Sequence, residues 1–505
     1  MGLAGQITTH PVSCPGTVMT PTHPSTATPQ IANSLPRHES AAMISDQSTW
    51  ALSKRAPTAS ACAPSMALAI LAMPLLALTS RRLQRLFLAV VVLGISLQVQ
   101  KHFFLRQDAA DFGSLGGLQI SLTNIALAVL YAGWLIDCVT GTRLRQIKIR
   151  AIDPVSASGV LFLLFCAVSL FACADRTLGL FELANTGERL LLYLYIVNRL
   201  RSRDDVIFIV RVVLCSLILQ ALFMSGQAMG SFDSIDWYGI KASANFAGDH
   251  RVSGTLGSPN PAAAYLAMCM VLAASVALSG AKRFDRWLSG AALTLAFIPL
   301  FATLSRGGWL SLVLGATVLL LVSRSRLSSK LATAGIILLI LWIVELSPPV
   351  QERLFGDDRG SSAARMPLNR LAIAMIEDHP ICGVGVNNFS LAMRPYLSQN
   401  LSGDYVYTVH NAYLRIWSET GTGGLLAFLW FLFLTLHRAF RAWQMRDHLY
   451  AFLSLGCGSA VAGFMLQMNF DPFRAGAPGH MLWLFAGLIG VMHRLSLDSG
   501  VTASA

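Results

Sequence analysis

Residues 261–279 read PAAAYLAMCMVLAASVALS, and residues 206–229 read VIFIVRVVLCSLILQALFMSGQAM. The first stretch has no charged side chain and the second has only Arg211. Each is close to the ~20 residues that carry a helix across the hydrocarbon core of a bilayer. In lipid every backbone N–H and C=O must be satisfied within the segment, so stretches of this kind span as helices. Similar apolar blocks recur at about 66–80, 86–100, 118–138, 154–174, 182–198, 288–304, 309–322, 331–347, 420–436, 449–468 and 480–492. The expectation is an all-α polytopic membrane protein with about 12–13 transmembrane helices.

Composition points the same way. Of 505 residues 54% are hydrophobic and 13% charged, about half the charged fraction of an average soluble chain. Mean hydropathy is +0.56. A net charge of +12 would suit nucleic acid if it formed one patch, but the basic residues occupy short gaps between apolar blocks. Arg81, Arg82 and Arg85 form one such group, and Arg143, Arg145, Lys148 and Arg150 another. Arg199, Arg201 and Arg203, then Lys282, Arg283 and Arg286, continue the series. Arg324, Arg326 and Lys330, then Arg438, Arg441 and Arg446, complete it. This positive-inside pattern assigns the gaps to the cytoplasm and makes membrane lipids, with no nucleic acid, the expected surroundings. Nine cysteines are scattered, several inside apolar blocks and none in a CxxC pair. Neither a zinc site nor a disulfide framework is expected.

The organisation follows. Residues 1–65 are rich in Pro, Thr, Ser and Ala without apolar periodicity and read as a disordered tail, with a start codon misassigned upstream of Met66 as an equal alternative. Residues 66–495 form the membrane domain, and 496–505 a short cytoplasmic tail. The first block, 66–80, is short and contains Pro74; if it spans, the tail lies outside. Alternation from residue 139 onward leaves three segments on the external face: 230–260, the turn 305–308, and the large periplasmic loop 348–411. The last is too long for a simple turn. Leu368, Leu371, Ala372 and Met375 recur in it at helical spacing, followed by Pro380 and the turn-forming Gly383 and Gly385. The expected arrangement is a short amphipathic helix on the membrane surface, a bend, and a second short helix.

Charges at membrane level are costly and mark functional positions by default. Arg306 lies in TLSRGGW (303–309), where the glycines permit a tight turn. Its planar guanidinium suits phosphate oxygens; an interfacial anchor snorkelling to the headgroups is the alternative. Arg251 lies in HRVSGTLGSPNP (250–261). Ser258 and Asn260 are candidate caps of the next helix, and a helix N-terminus beside an arginine suits an anion; a plain solvated loop is the competing reading. His410 opens HNAYLRIWSETG (410–421) where the large loop re-enters the membrane. Histidine exchanges protons near neutral pH and suits a general base, although a lone loop histidine is commonly just solvated. Asn411 is a candidate to orient it, and Glu419 to pair with an arginine. Glu188 and Arg189 read as a structural ion pair or, alternatively, place Arg189 at an external cavity. There is no phosphate loop, no dinucleotide fingerprint and no Asp-x-Asp on the external segments. A reaction here therefore calls for an already activated donor, with no cofactor and no metal. A lipid-linked pyrophosphate fits.

Taken together, RVSGTLGSPN (251–260), LSRGG (304–308), HPICGVGVNNF (379–389) and HNAYL (410–414) through ETG (419–421) resemble the O-antigen ligase/polymerase family. The resemblance covers about residues 66–495. It implies a GT-C-like membrane fold, and transfer of glycans from undecaprenyl pyrophosphate at the periplasmic face of the bacterial inner membrane. It also implies that Arg251 and Arg306 bind the donor pyrophosphate, with Arg189 as an additional contact, and that His410 activates the acceptor hydroxyl. Asn411, Glu419 and Asn260 are then supporting residues, and the chemistry is inverting and metal-independent. The acceptor is lipid A-core or a growing glycan. A protein-glycosylating branch is less favoured, since no sizeable external domain follows the last blocks. A secondary transporter is the reading from another class, although the paired broken helices of such proteins are not evident. A non-catalytic partner in envelope polysaccharide assembly is a third.

Overall fold

In the computed structural model of the chain, the described residues are 81–139, 153–231, 234–237, 240–243, 245–246, 249–323, 348, 351, 365–397, 407–473 and 476–502. Eleven of the apolar blocks lie within them, and each coincides with a helix. The blocks at 66–80 and 331–347, the tail 1–65, the basic gaps 143–150 and 324–330, and much of the loop 348–411 lie outside the described residues.

The longer helices among the described residues are α1 (Arg81–Leu97), α2 (Leu122–Val139), α3 (Pro154–Ser169), α4 (Arg176–Arg199), α5 (Arg203–Ala228), α6 (Pro259–Leu278), α7 (Arg283–Ala302), α8 (Arg306–Val322), α9 (Arg365–Asp378), α10 (Ala412–Trp443), α11 (His448–Gln467) and α12 (Ala477–Thr502). Among the described residues α5, α6, α10, α11 and α12 are long and apolar enough to cross a membrane, and α2, α3 and α8 are shorter apolar helices. The protein is an all-α polytopic membrane protein. Fewer helices meet the criterion than there are blocks, for identifiable reasons. Caps trim α3 to 16 residues and α8 to 17, and α4 carries Glu182, Asn185, Glu188 and Arg189.

Local chemistry sets the helix starts. Asp153 accepts from the Val155 and Ser156 N–H groups with Pro154 at the first helical position, and Asp175 accepts from Thr177 and Leu178. Ser202 and Asp447 cap α5 and α11 in the same way. These are the side chains that satisfy the orphan donors of a first turn.

Ion pairs gather the basic gaps at one end of the bundle. Arg85 meets Asp205 at 2.9 Å, Arg199 meets Asp137 at 2.8 Å and Arg203 meets Asp447 at 3.1 Å. Arg211 meets Asp285 at 2.6 Å and Arg438 meets Asp153 at 3.1 Å. These residues lie at or near the starts of α1, α3, α5, α7 and α11, with Arg211 two turns into α5, and near the ends of α2, α4 and α10, so the helices run up and down. The loops that carry the candidate site share the opposite end.

Two expectations change. The block 118–138 does not begin as a helix: Leu118–Ser121 (β2) pairs antiparallel with Gln100–Phe103 (β1), Leu118 opposite Phe103. The sequence LQIS alternates apolar and polar, the period of a strand. Helix α9 forms as expected, but its apolar side does not lie on the membrane. Leu368, Leu371, Ala372 and Met375 are buried, and Leu371, Ala372 and Met375 pack with Val384, Phe389, Met393 and Val409. Protein, rather than lipid, covers that face.

The loop after α9 is stapled to α10. Val384 N–H donates to the Ser418 carbonyl at 2.8 Å, Gly385 N–H to the Glu419 carbonyl at 3.0 Å and Thr422 N–H to the Pro380 carbonyl at 2.9 Å. These bonds are possible because α10 breaks at Gly421, with φ 72° and ψ −179°. A Cβ there would stand 1.9 Å from the Ile381 carbonyl oxygen, so only glycine fits. Asn387 and Asn388 stitch the same loop to the rest. Asn387 exchanges bonds with the Leu115 backbone and donates to the Leu178 carbonyl. Asn388 does the same with Asp175.

Candidate functional site

The segment after Arg251 is held from beneath by amide side chains of α5. The Gln227 Oε1 accepts from Ser253 and Gly254 N–H groups, at 3.3 and 2.8 Å. Gln220 accepts from Thr255 N–H and donates to the Thr255 hydroxyl at 2.6 Å. Arg251 then reaches sideways: Nε donates to the Thr303 carbonyl at 2.9 Å and Nη2 to Asn260 Oδ1 at 3.2 Å. Thr303 is the C-cap of α7, and Arg306 is the first residue of α8 after the Ser305 cap. Gly308 lets α8 approach α6, since a Cβ there would lie 2.3 Å from that of Ala263. That contact brings the Arg306 turn beside the start of α6, where Asn260 sits.

Asn260 is not a cap. The N-cap of α6 is Ser258, whose side chain makes no capping bond. The Asn260 amide instead bridges, accepting from Arg251 and donating to Asp471 Oδ2 at 2.8 Å. Its carbonyl accepts from Gln467 Nε2 at 3.1 Å.

His410 stands at the head of α10. Asn411 caps that helix, its Oδ1 accepting from Tyr413 and Leu414 N–H groups at 2.9 and 3.0 Å; it is the cap, not a partner of the imidazole, that its side chain serves. Ala412 N–H donates to the Met468 carbonyl at 2.8 Å, tying the histidine segment to the loop that carries Asp471. The Tyr407 ring lies 5.4 Å from the imidazole. Burial pushes the His410 pKa below the usual histidine value, and the charge of Arg365 adds to this; Asp471 and a bond to the Thr408 backbone oppose it. Burial thus favours the neutral imidazole, the form that can accept a proton.

Arg251, Asn260, Asp471 and His410 thus come together from three loops. Arg189 and Glu419 line an inner cavity of ≈ 600 Å³, open mouth included, with Glu182, Arg415 and Trp483, and the cavity reaches Ala412, Pro472 and Phe473 beside the His410 and Asp471 segments. There Glu419 pairs with Arg415 at 3.1 Å, both side chains almost fully buried, and accepts from Phe389 N–H at 3.4 Å. Glu188 pairs with His480 at 3.0 Å and also feels the charge of Arg189.

Sequence reasoning missed Asp471, Arg365 and Arg415. For Arg415 a signal existed, because it stands four residues before Glu419 and such a pair shares a helix face. Asp471 lies in NFDPF (469–473), a gap that the alternation assigns to the same face as Arg251.

Fold and site together define a multi-pass helical membrane protein with arginines and a half-buried histidine at the end opposite its basic loops. Residues 291–429 match the sequence model of the O-antigen ligase family. Over that segment, from within α7 to within α10, the chain is similar to that family. The matched segment includes Arg306, His410, Asn411, Arg415 and Glu419, whereas Arg189, Arg251, Asn260 and Asp471 lie outside it. No curated protein matches the chain in sequence.

Proposed function

We propose that the protein transfers a glycan from an undecaprenyl-pyrophosphate carrier to an acceptor hydroxyl at the periplasmic face of the inner membrane. The acceptor is lipid A-core or a growing glycan. The observation that carries this reading is the run of bonds from Arg251 through Asn260 to Asp471, whose charge acts on His410. A cation for the leaving group and a neutral base for the nucleophile then share one site.

In the reaction the acceptor oxygen bonds to the anomeric carbon as the bond from that carbon to the pyrophosphate oxygen breaks. The electron pair leaves on the pyrophosphate, where Arg251 and Arg306 stabilise it, and the acceptor proton passes to His410. One displacement inverts the anomeric centre. Arg189, set in the inner cavity, is a further donor contact. No metal is required, since guanidinium groups meet the developing charge. The positive-inside distribution supports a periplasmic site, because the site lies at the end away from the basic gaps.

The test is transfer by purified protein in liposomes. The donor is undecaprenyl-pyrophosphate-linked glycan, offered with lipid A-core or with a second donor molecule, in EDTA. Product on lipid A-core makes the protein a ligase, and a ladder of longer lipid-linked glycans makes it a polymerase. Absence of both, from folded protein and verified donor, refutes the proposal.

A further inference from the structure

Beside this site, at the same end of the bundle, is a second cleft of ≈ 350 Å³, open mouth included, lined by Gln98, Gln119, Asn124, Asn185, Glu188 and His480 among others. Such a concentration of amide side chains is costly between membrane helices unless each amide finds partners. Some do. Asn124 Oδ1 accepts from Ser121 N–H at 2.9 Å, and His480 bonds Glu188 and the Gly476 carbonyl, each at 3.0 Å. Asn185 does not: its side chain is about nine-tenths buried, and its Nδ2 has no hydrogen-bond partner among the described residues. Glu188 Oε1 in the same cleft is likewise buried without a hydrogen-bond partner among the described residues, and buried polar atoms left over in this way are rare and need a reason.

Gln98 ties the cleft to the candidate active site. Its φ is +50°, in a region that non-glycine residues seldom occupy and that gathers at functional sites. Its side chain lies between the two loops that carry Arg251 and Asp471. A Cβ on Gly476 would stand 3.1 Å from its Nε2, and one on Gly257 would stand 3.9 Å from its Oε1. The cleft is therefore contiguous with the segments that hold the pyrophosphate-binding and proton-accepting groups in the proposal above.

We infer that this cleft is a carbohydrate subsite that takes hydroxyl groups of the glycan through Gln98, Gln119, Asn185 and Glu188. Amides offer both donors and acceptors and the carboxylate two acceptor oxygens, which matches vicinal hydroxyls that donate and accept at once. The subsite rests on the glycan-transfer reading. Its sugar comes either from the donor glycan or from the acceptor, and both present the same chemistry.

Two probes separate the sources: the oligosaccharide freed by mild acid from the undecaprenyl-pyrophosphate-linked donor, and the delipidated core oligosaccharide. Binding of each to the full chain in detergent is followed by saturation-transfer NMR, beside the KM for donor and for acceptor. One probe binds wild type, and Gln119→Ala and Asn185→Leu each weaken it by about tenfold, the worth of a hydrogen bond. The KM of the matching substrate rises in step while kcat changes little. Gln119→Ala, on the β1–β2 hairpin, keeps the test valid if Asn185→Leu fails to fold. His410→Ala, which removes transfer, retains the binding. Unchanged binding in both variants, or no binding of either oligosaccharide to a wild type that transfers, overturns the subsite and leaves the transferase reading intact. Binding lost in the variants from a protein that transfers nothing overturns the transferase reading instead.

Discussion

Arg251 and the arginines of the basic end are held differently. At the basic end Arg85, Arg199, Arg203, Arg211 and Arg438 each meet an aspartate that belongs to another helix. Charge is matched there, and the pairs fix how helix ends meet. At the opposite end bonds to neutral oxygens hold Arg251, one from the Thr303 carbonyl and one from the Asn260 amide. Such bonds orient the guanidinium through carbonyl and amide oxygens. The nearby aspartate, Asp471, is held by Asn260 and acts on His410. Arginine is thus structural where an aspartate of another helix holds it, while at Arg251 an amide and a carbonyl help to orient a guanidinium proposed to meet an anionic ligand.

That contrast can be broken at several points. The largest effect is expected from His410→Ala, which removes the base and lowers the transfer rate by about 10²–10⁴-fold while thermal unfolding stays put. Arg306→Ala removes a cation that acts on the leaving group and lowers the rate by about 10²–10³-fold. Arg251→Lys keeps the charge but loses the fork that spans Thr303 and Asn260, and fails to restore the rate. Arg199→Ala, at the basic end, leaves the Asp137 carboxylate buried without its cation. It destabilises the fold by about 3–5 kcal/mol, read by thermal unfolding in detergent, while the rate per folded molecule is kept. A large loss of that rate would erase the distinction between the ends.

The smallest effect is on pH. The depressed pKa of His410 keeps the imidazole neutral above it, so transfer persists below the ordinary histidine pKa of about 6.5 and falls as pH drops through the shifted value. Asp471→Asn removes the charge that favours the imidazolium and moves this acid limb to lower pH. Arg365→Gln removes a charge that opposes it and moves the limb up. A pH–rate profile that ignores both substitutions would separate the limb from His410.

The membrane helices were legible because each needs a long run without charge, and runs such as 261–279 admit no other reading. The β1–β2 hairpin was hidden because its second strand, LQIS, abuts the apolar start of α2 and merges with it in a hydropathy scan. The periodicity of α9 was readable, but not what covers its apolar face, since Phe389, Met393 and Val409 arrive from later turns of the same loop. Asn411 had a signal for its role, because asparagine before an apolar helix is a favoured cap. Asp471 had almost none. Its importance comes from meeting Asn260 across 211 residues of sequence, a proximity that spacing along the chain does not encode. The placement of Arg189 is of the same kind: it read as a membrane-level arginine, and the packing of α4 against α12, where Gly479 lies beside its guanidinium, sets it at the inner cavity.

The most direct test of the account is the rate of glycan transfer from undecaprenyl-pyrophosphate-linked donor by the purified protein in liposomes, wild type beside His410→Ala, with folding of both verified. The account predicts product from wild type and loss of at least a hundredfold in the variant, with donor binding retained. Equal rates in the two proteins would contradict it.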